Sequence, residues 1–245
     1  MRAVSVIRAL GPIDAKSVGR DSLLRWMVLF PVLFALLVRW GVPPLTVWLA
    51  ERFRFDLAPY YPLIVSIIVM TIPMLFGTVI GFLLLDQRDD QTLMALQVTP
   101  LTANGYLVYR IGVPAVLSVA MTLMAFPLMD LVEVGFGGRL MAAVGAAPLA
   151  PAYALFLAGF AQNKVQGFAL MKGAGGLSWP PIVAYFIHSK WQWAFGLCPT
   201  YWPAKLYWEI DAGSGRSWLY LVVGLVLQSV LVAALLRRFN TVMHR

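Results

Sequence analysis

The chain has 245 residues, of which 60% are apolar and only 12% charged, and its net charge is +8. Soluble domains carry about 25% charged residues, and a globule of this size leaves too much surface exposed to hide so many apolar side chains. The composition therefore excludes a soluble enzyme, a disordered tail and a disulfide scaffold. It predicts an integral membrane protein, and two histidines are too few for a His-built metal site.

Six segments are predicted to span a membrane, since a helical span needs roughly 20 mainly apolar residues. The first apolar run is short, and Asp21 or Ser22 is expected to cap its N-terminus because both side chains accept hydrogen bonds from helix amides. The fifth contains Gly-Ala-Gly-Gly and Pro180-Pro181, which indicates a broken or re-entrant helix. We therefore expect one all-α membrane domain, residues 1–245. Its spans are residues 22–42, 60–85, 108–130, 140–162, 170–189 and 217–236.

The distribution of basic residues predicts the orientation. With six spans both termini lie on the same side, and the segments on that side hold twelve of the nineteen Lys and Arg residues. Because loops on the cytoplasmic side carry the excess of basic residues, we expect a multi-pass protein of the cytoplasmic membrane with both termini in the cytoplasm.

Two segments outside the spans are expected at the membrane surface. Residues 1–10 place apolar side chains at helical spacings beside Arg2 and Arg8, which predicts an interfacial helix that Gly11-Pro12 ends; a frayed basic tail is the alternative. Residues 190–211 are rich in Trp and Tyr, which concentrate at membrane–water interfaces. This outer segment, before the last helix, is expected to be interfacial or re-entrant.

The segment between the second and third spans has the most distinctive pattern. Residues 86–101 read Asp-Gln-Arg-Asp-Asp-Gln-Thr-Leu-Met-Ala-Leu-Gln-Val-Thr-Pro-Leu, a charged helix end followed by an apolar patch around Leu93 and Leu96 and a stop at Thr99-Pro100. This arrangement suits docking on a soluble partner. A solvated helix-turn-helix is the alternative.

Residues 89–102 resemble the cytoplasmic signature of ABC-2-type transporter permeases, in which an acidic pair precedes Gly-Thr-Leu-Glu-x-Leu-x-x-Thr/Ser-Pro-Leu-Ser/Thr. Gln91 replaces the usual Gly and Met94 the usual Glu, whereas the Thr-Pro-Leu-Thr end matches. Residues 20–31, which enter the first span, and the aromatic segment before the last helix are also similar to this family. In length and pattern the chain is most similar to the compact permeases of the fluoroquinolone-export type, with polysaccharide-export permeases second.

The resemblance implies the transmembrane subunit of an ABC exporter that moves an amphipathic drug-like or lipidic substrate. No Gly-x-x-x-x-Gly-Lys-Ser/Thr motif occurs in the sequence, so ATP and Mg²⁺ are expected on a separate ATPase subunit and no cofactor on this chain. The expected partners are that ATPase dimer, a second permease in a homo- or heterodimer, and membrane lipid, with no nucleic acid. The expected ATPase-coupling interface comprises Asp86, Arg88, Asp89, Asp90, Gln91, Thr92, Leu93, Leu96, Thr99 and Pro100.

A second candidate site follows one face of the second span. Its members recur at steps of three or four residues, and Gly77 and Gly81 form a Gly-x-x-x-Gly pattern that permits close helix approach. This face, with one threonine of the third span, is the candidate dimer face or substrate path; packing against a neighbouring helix of the same chain is the alternative. The full set is Ser66, Met70, Pro73, Gly77, Gly81 and Thr122.

Ionisable residues cluster near the ends of the predicted spans, where charged side chains reach the interface at little cost. They are Lys172, Asp130, Glu133 and Arg139. No acidic relay crosses the spans, so proton coupling is not expected. An intramembrane protease would need a buried Ser with a base or several metal ligands, and His188 is the only histidine near a span, so no catalytic residue is expected. A non-catalytic membrane scaffold or coupling subunit is the remaining alternative.

Overall fold

A computed structural model of the chain describes residues 3–89 and 103–243, and their regular structure is helical. Short 3₁₀ turns at Ala58–Tyr60, Gly176–Ser178 and Lys190–Leu197 connect the helices. The α-helices are α1 (Ala3–Arg20), α2 (Ser22–Phe53), α3 (Tyr61–Asp89), α4 (Ala103–Met129), α5 (Phe136–Ala146), α6 (Leu149–Phe160), α7 (Lys164–Gly175), α8 (Trp179–Tyr185), α9 (Tyr201–Asp211) and α10 (Ser217–Met243).

Five helical stretches of the described residues are long and apolar enough to cross a membrane, which makes the chain a multi-pass membrane protein. They are Ser22–Phe53, Ala58–Arg88, Val108–Met129, Phe136–Phe160 and Ser217–Thr241. Five of the six predicted spans correspond to these stretches. The fifth prediction, residues 170–189, is divided among α7, a 3₁₀ turn and α8.

The interruption between α7 and α8 has a local cause. Gly175 and Gly176 weaken the helix where α7 ends, and Pro180 lies in the first turn of α8, where its missing amide hydrogen is tolerated. Because α8 has only seven residues, it covers roughly 10 Å at 1.5 Å per residue, far less than a bilayer core of about 30 Å.

Helix α2 begins where the sequence predicts and ends eleven residues later than predicted. Asp21 is the N-cap, and its carboxylate accepts hydrogen bonds from the amides of Leu23 and Leu24 at 2.9 and 3.2 Å. The helix continues through Pro43-Pro44 to Phe53. Val42 is buried in the core, and the hydroxyl of Thr46 lies 2.8 Å from that of Tyr61 on α3, so packing holds the extension that the prolines would otherwise end.

The predicted stop of the N-terminal helix at Gly11-Pro12 is wrong, because α1 continues through Pro12 to Arg20. Leu10 and Asp14 are buried on either side of the proline and contact α4. These contacts stabilise the turn of helix that the Gly-Pro pair would otherwise terminate.

The core is built around α3, which packs against α2, α4, α6 and α9. Four aromatic side chains of α9 lie in this core, whereas Trp191 and Trp193 of the preceding turn are exposed. The interfacial or re-entrant position of residues 190–211 stays a prediction. The buried indole amines have partners, since Trp208 Nε1 donates to Ser66 Oγ at 3.0 Å and Trp202 Nε1 to the Gly196 carbonyl at 2.9 Å. The four buried residues are Tyr201, Trp202, Tyr207 and Trp208.

Candidate functional site

The charged end of α3 is anchored to the junction between α6 and α7. Arg88 donates from Nη2 to the carbonyls of Ala161 and Gln162 at 2.7 and 2.6 Å. These bonds satisfy backbone carbonyls that follow the end of α6 and have no partner within that helix. The carboxylate of Asp86 accepts from Lys164 Nζ at 3.0 Å. Two of the ten residues predicted for the coupling interface are therefore fixed by intramolecular contacts.

Lys164 links three helix ends, because its ammonium group lies 2.8 Å from Asp21 and 3.0 Å from Asp86. Lys164 is the first residue of α7, Asp21 caps α2 and Asp86 lies in the last turn of α3. The hydrogen bond from Lys164 holds the pKa of Asp21 below its usual value. Burial lowers the pKa of Lys164, but the bonds to both carboxylates outweigh it and the net shift is upward, so the group stays charged.

The start of α4 is tied to α3 and to α1. The hydroxyl of Tyr106 donates to Gln87 Oε1 at 2.8 Å, and burial raises the pKa of this tyrosine, which keeps the donor protonated. Arg110 and the hydroxyl of Tyr109 both donate to the Asp14 carboxylate of α1. The last turn of α3 and the first turns of α4 are thus held in one polar network, and these are the helices that residues 90–102 connect.

The remaining residues of the predicted coupling interface fall at or beyond the edge of the described structure. Asp89 is the last residue of α3. Seven others lie outside the described residues: Asp90, Gln91, Thr92, Leu93, Leu96, Thr99 and Pro100. We call this network the polar end of the bundle. It joins Asp14 of α1 to residues at the ends of α2, α3, α4 and α7. Its members are Asp14, Asp21, Asp86, Gln87, Arg88, Tyr106, Tyr109, Arg110 and Lys164.

The residues of the second candidate site are buried inside the folded protein. A Cβ added at Gly77 would touch the carbonyl oxygen of Ala150 and lie 2.8 Å from Tyr153 Cβ, and one at Gly81 would lie 2.9 Å from Leu157 Cδ1. Both glycines therefore allow α3 to pack directly against α6. This contact is the alternative in which the face packs against a neighbouring helix of the same chain. Pro73 is buried within α3.

The other members of that set are also in the interior. Ser66 is fully buried, donates to the Leu63 carbonyl at 2.8 Å and accepts from Trp208. Met70 packs beside Tyr153 in a buried cluster. Thr122 is buried on α4, and its hydroxyl has no hydrogen-bond partner among the described residues.

The charged residues near the ends of the predicted spans are exposed or half-buried. Asp130 pairs with Arg39 at 3.1 Å with both side chains exposed, and Arg139 donates to the Val134 carbonyl at 2.6 Å. Lys172 and Glu133 are exposed, and so is His188. Within residues 3–89 and 103–243, no three His, Cys, Asp or Glu side chains lie close enough to hold a metal ion.

Sequence reasoning missed the residues that assemble the polar end from a distance. Asp14 and Lys164 lie in segments without a distinguishing pattern. Only the three-dimensional structure shows that Asp14 pairs with Arg110 and that Lys164 pairs with Asp21. Arg110 had a usable signal, because it lies at the start of an apolar span, where a charge needs a partner.

Comparison with known proteins identifies relatives along nearly the whole length. The sequence model of the family described as "Fluoroquinolones export permease protein Rv2686c-like" matches residues 14–236. Two curated relatives from Mycobacterium tuberculosis, named Fluoroquinolones export permease protein MT2760 (strain CDC 1551 / Oshkosh) and Rv2686c (strain ATCC 25618 / H37Rv), are each 34% identical to the chain over 249 residues. Each alignment covers 98% of both proteins. No solved structure matches the chain.

Proposed function

Because the chain belongs to the Rv2686c-like family of fluoroquinolone export permeases, we propose that it is the membrane subunit of an ATP-driven exporter of amphipathic drug-like molecules. The observation that carries the proposal is the 34% identity to fluoroquinolones export permeases over 98% of both chains. Coverage of this extent leaves no large segment of either protein without a counterpart, so a shared transport role is the simplest reading.

A separate ATPase is part of the proposal. The sequence has no P-loop to hold ATP phosphates, and residues 89–102 resemble the segment with which ABC-2-type permeases contact their ATPase. The polar end of the bundle supports this role mechanically. Lys164 and Arg88 connect the end of α3 to α2, α6 and α7. A displacement of residues 90–102 by the ATPase would therefore be transmitted to several helices at once.

Orientation and assembly complete the proposal. We place the polar end on the cytoplasmic side of the cytoplasmic membrane and take residues 170–189 as an interrupted sixth span. Both termini then lie on that side, where the basic residues concentrate. A second permease, identical or different, pairs with this chain.

The proposal is tested by purifying the tagged chain in mild detergent from cells that express its neighbouring genes, and assaying the eluate for ATPase activity. We expect an ATPase at about one subunit per permease, and activity that disappears when the P-loop lysine of that ATPase is changed to alanine. The same cells should accumulate less norfloxacin than cells carrying the inactive ATPase. A permease that elutes alone in several detergents, with unchanged drug accumulation, would contradict the proposal.

A further inference from the structure

An apolar cavity of about 420 Å³ lies between α6, α7, α9 and α10. This volume falls within the roughly 300–1,000 Å³ of sites that hold drug-sized ligands. Three aromatic side chains contribute to its wall beside several leucines and alanines: Tyr153 and Phe156 from α6 and Trp202 from α9. Aromatic walls favour flat aromatic ligands, because offset-stacked and edge-to-face ring contacts add to the burial of area.

The interrupted helix between α6 and α10 forms part of the cavity wall. Ala174 near the end of α7 and Leu177 in the 3₁₀ turn line it, and the short α8 follows. In many transporters the substrate site lies near the middle of the membrane beside an interrupted helix.

Gln228 sets the polarity of the site. It lines the cavity at the centre of the candidate span Ser217–Thr241 and is 1% exposed. Its Nε2 donates to the Gly145 carbonyl at 3.0 Å, which fixes the orientation of the amide. Its Oε1 has no hydrogen-bond partner among the described residues, and a buried acceptor without a donor is unfavourable.

The other polar side-chain groups on the wall already have partners. The hydroxyl of Tyr153 donates to the Ala174 carbonyl at 2.9 Å, and the indole amine of Trp202 donates to the Gly196 carbonyl at 2.9 Å. Within the described residues no charged side chain lines the cavity. A ligand with a net charge would therefore lose its hydration without a counter-ion. A lipid tail would fill the space but has no donor for Gln228.

We propose that this cavity binds the exported molecule, a planar and largely apolar aromatic compound without net charge that donates one hydrogen bond to Oε1 of Gln228. The inference rests on the proposed function and gives it a location: the space beside the interrupted helix, rather than the Gly77–Gly81 face of α3.

The test uses the full chain in phospholipid nanodiscs with its co-purified ATPase. Norfloxacin is the probe, at neutral pH, where its two charges cancel and the zwitterion is in equilibrium with an uncharged form; its own fluorescence reports binding in equilibrium dialysis. Leu231→Trp places a bulky ring on the cavity wall. Val230→Trp is the matched control, because Val230 is the next residue on α10, is 63% exposed and does not line the cavity. Gln228→Met removes the acceptor and keeps the length of the side chain. Norfloxacin export from cells is measured for every variant.

We expect Leu231→Trp to weaken norfloxacin binding at least tenfold and Gln228→Met to weaken it roughly three- to tenfold, with the control unchanged. If the wild type binds and exports norfloxacin and both wall variants do so equally well, the cavity assignment is overturned while the proposed function stands. A phospholipid retained in the cavity that norfloxacin does not displace, with export intact, overturns it in the same way. If the wild type neither binds nor exports norfloxacin, both proposals fail.

Discussion

Asp14 and Arg110, 96 residues apart in the chain, form a doubly hydrogen-bonded ion pair that is almost sealed from solvent. Two guanidinium nitrogens of Arg110 lie 2.7 and 3.2 Å from the carboxylate oxygens of Asp14. Arg110 is 2% exposed and Asp14 is 7% exposed. The rings of Tyr106 and Tyr109 lie 5.3 and 5.4 Å from the guanidinium carbon. This pair fastens α1 to α4, so the N-terminal helix is part of the bundle rather than a loose surface segment.

Removing one member of this pair should be strongly destabilising. Asp14→Ala leaves the guanidinium of Arg110 buried without its counter-ion, and breaking a buried ion pair in this way costs about 3–5 kcal/mol. We expect a clear fall in the thermal denaturation temperature of the detergent-solubilised protein. The double variant Asp14→Leu/Arg110→Met, which removes both charges, should recover a large part of that loss.

The matched control is the exposed pair formed by Arg39 and Asp130, whose side chains are 42% and 67% exposed. Asp130 has a φ of 47°, in the left-handed region that Asp tolerates better than Ala. Asp130→Ala would therefore add backbone strain, and Arg39→Ala is the cleaner change. It should cost no more than about 1 kcal/mol. Equal effects of Asp14→Ala and Arg39→Ala would show that the buried pair contributes no more than a surface contact.

Two substitutions at Asp21 separate its capping role from its charge. Asp21→Asn keeps a side-chain acceptor for the amides of Leu23 and Leu24 but loses the ion pair with Lys164. Because that pair is partly exposed, we expect a cost of about 0.2–1 kcal/mol. Asp21→Ala also removes the cap and should cost about 0.5–2 kcal/mol more. Thermal denaturation should rank the wild type above Asp21→Asn and Asp21→Ala last; identical values for the two variants would exclude a capping contribution.

The same carboxylate predicts a pH dependence. Its pKa lies below the usual 3.8, chiefly because of the hydrogen bond from Lys164. A lowered acid pKa gives stability that is fully present above the unfolded value and is lost as the pH falls through the folded one. The raised pKa of Lys164 acts in the opposite direction, so its contribution is present below 10.5 and is lost above it. Between pH 5 and 3, wild-type stability should therefore fall more steeply than that of Asp21→Asn, and parallel curves would contradict the assignment.

The contrast between Asp21 and Asp14 shows which features the sequence can predict. Asp21 caps the helix that begins beside it, a local effect, and the sequence predicted it with Ser22 as the alternative. Gly11-Pro12 and Pro43-Pro44 also act locally and would normally end a helix, but buried contacts of Leu10, Asp14 and Val42 override them. Such contacts join residues far apart in the chain, so no local pattern reveals them.

The aromatic residues of α9 show the same limit in the membrane. Trp and Tyr are common at interfaces because one end of the ring system is polar, and composition alone favours that position. Trp208 and Trp202 satisfy their indole amines inside the protein, through Ser66 and the Gly196 carbonyl, which composition does not predict. Whether an indole meets water or a buried acceptor depends on the packing of α9 on α3. The cavity beside Gln228 likewise requires coordinates, although the sequence does predict the interrupted helix that forms part of its wall.

Gly77→Ala should destabilise the bundle. Its added methyl group would meet the backbone carbonyl of Ala150, which cannot move away as the end of a flexible side chain could. Overpacking of this kind costs about 1–3 kcal/mol. Gly112→Ala on α4 is the control, since a Cβ there meets nothing within 4 Å and should be neutral or mildly stabilising. Denaturation temperatures compare the two; no loss in Gly77→Ala would show that α3 and α6 can separate at this point.

Substitutions in residues 89–93 should uncouple ATP hydrolysis from transport. Charge reversal at Asp89 and Asp90, or Leu93→Ala, alters the segment proposed to contact the ATPase while the anchors Asp86 and Arg88 stay in place. We expect the ATP hydrolysed per molecule of norfloxacin exported to rise severalfold, measured in proteoliposomes that contain the co-purified complex. Glu133→Lys is the control, because this exposed acidic residue lies at the opposite end of the candidate spans and should leave the ratio unchanged. If all these variants keep the wild-type ratio and bind the ATPase as well as the wild type, residues 89–93 do not transmit the energy of hydrolysis, and the route must run through another part of the polar end.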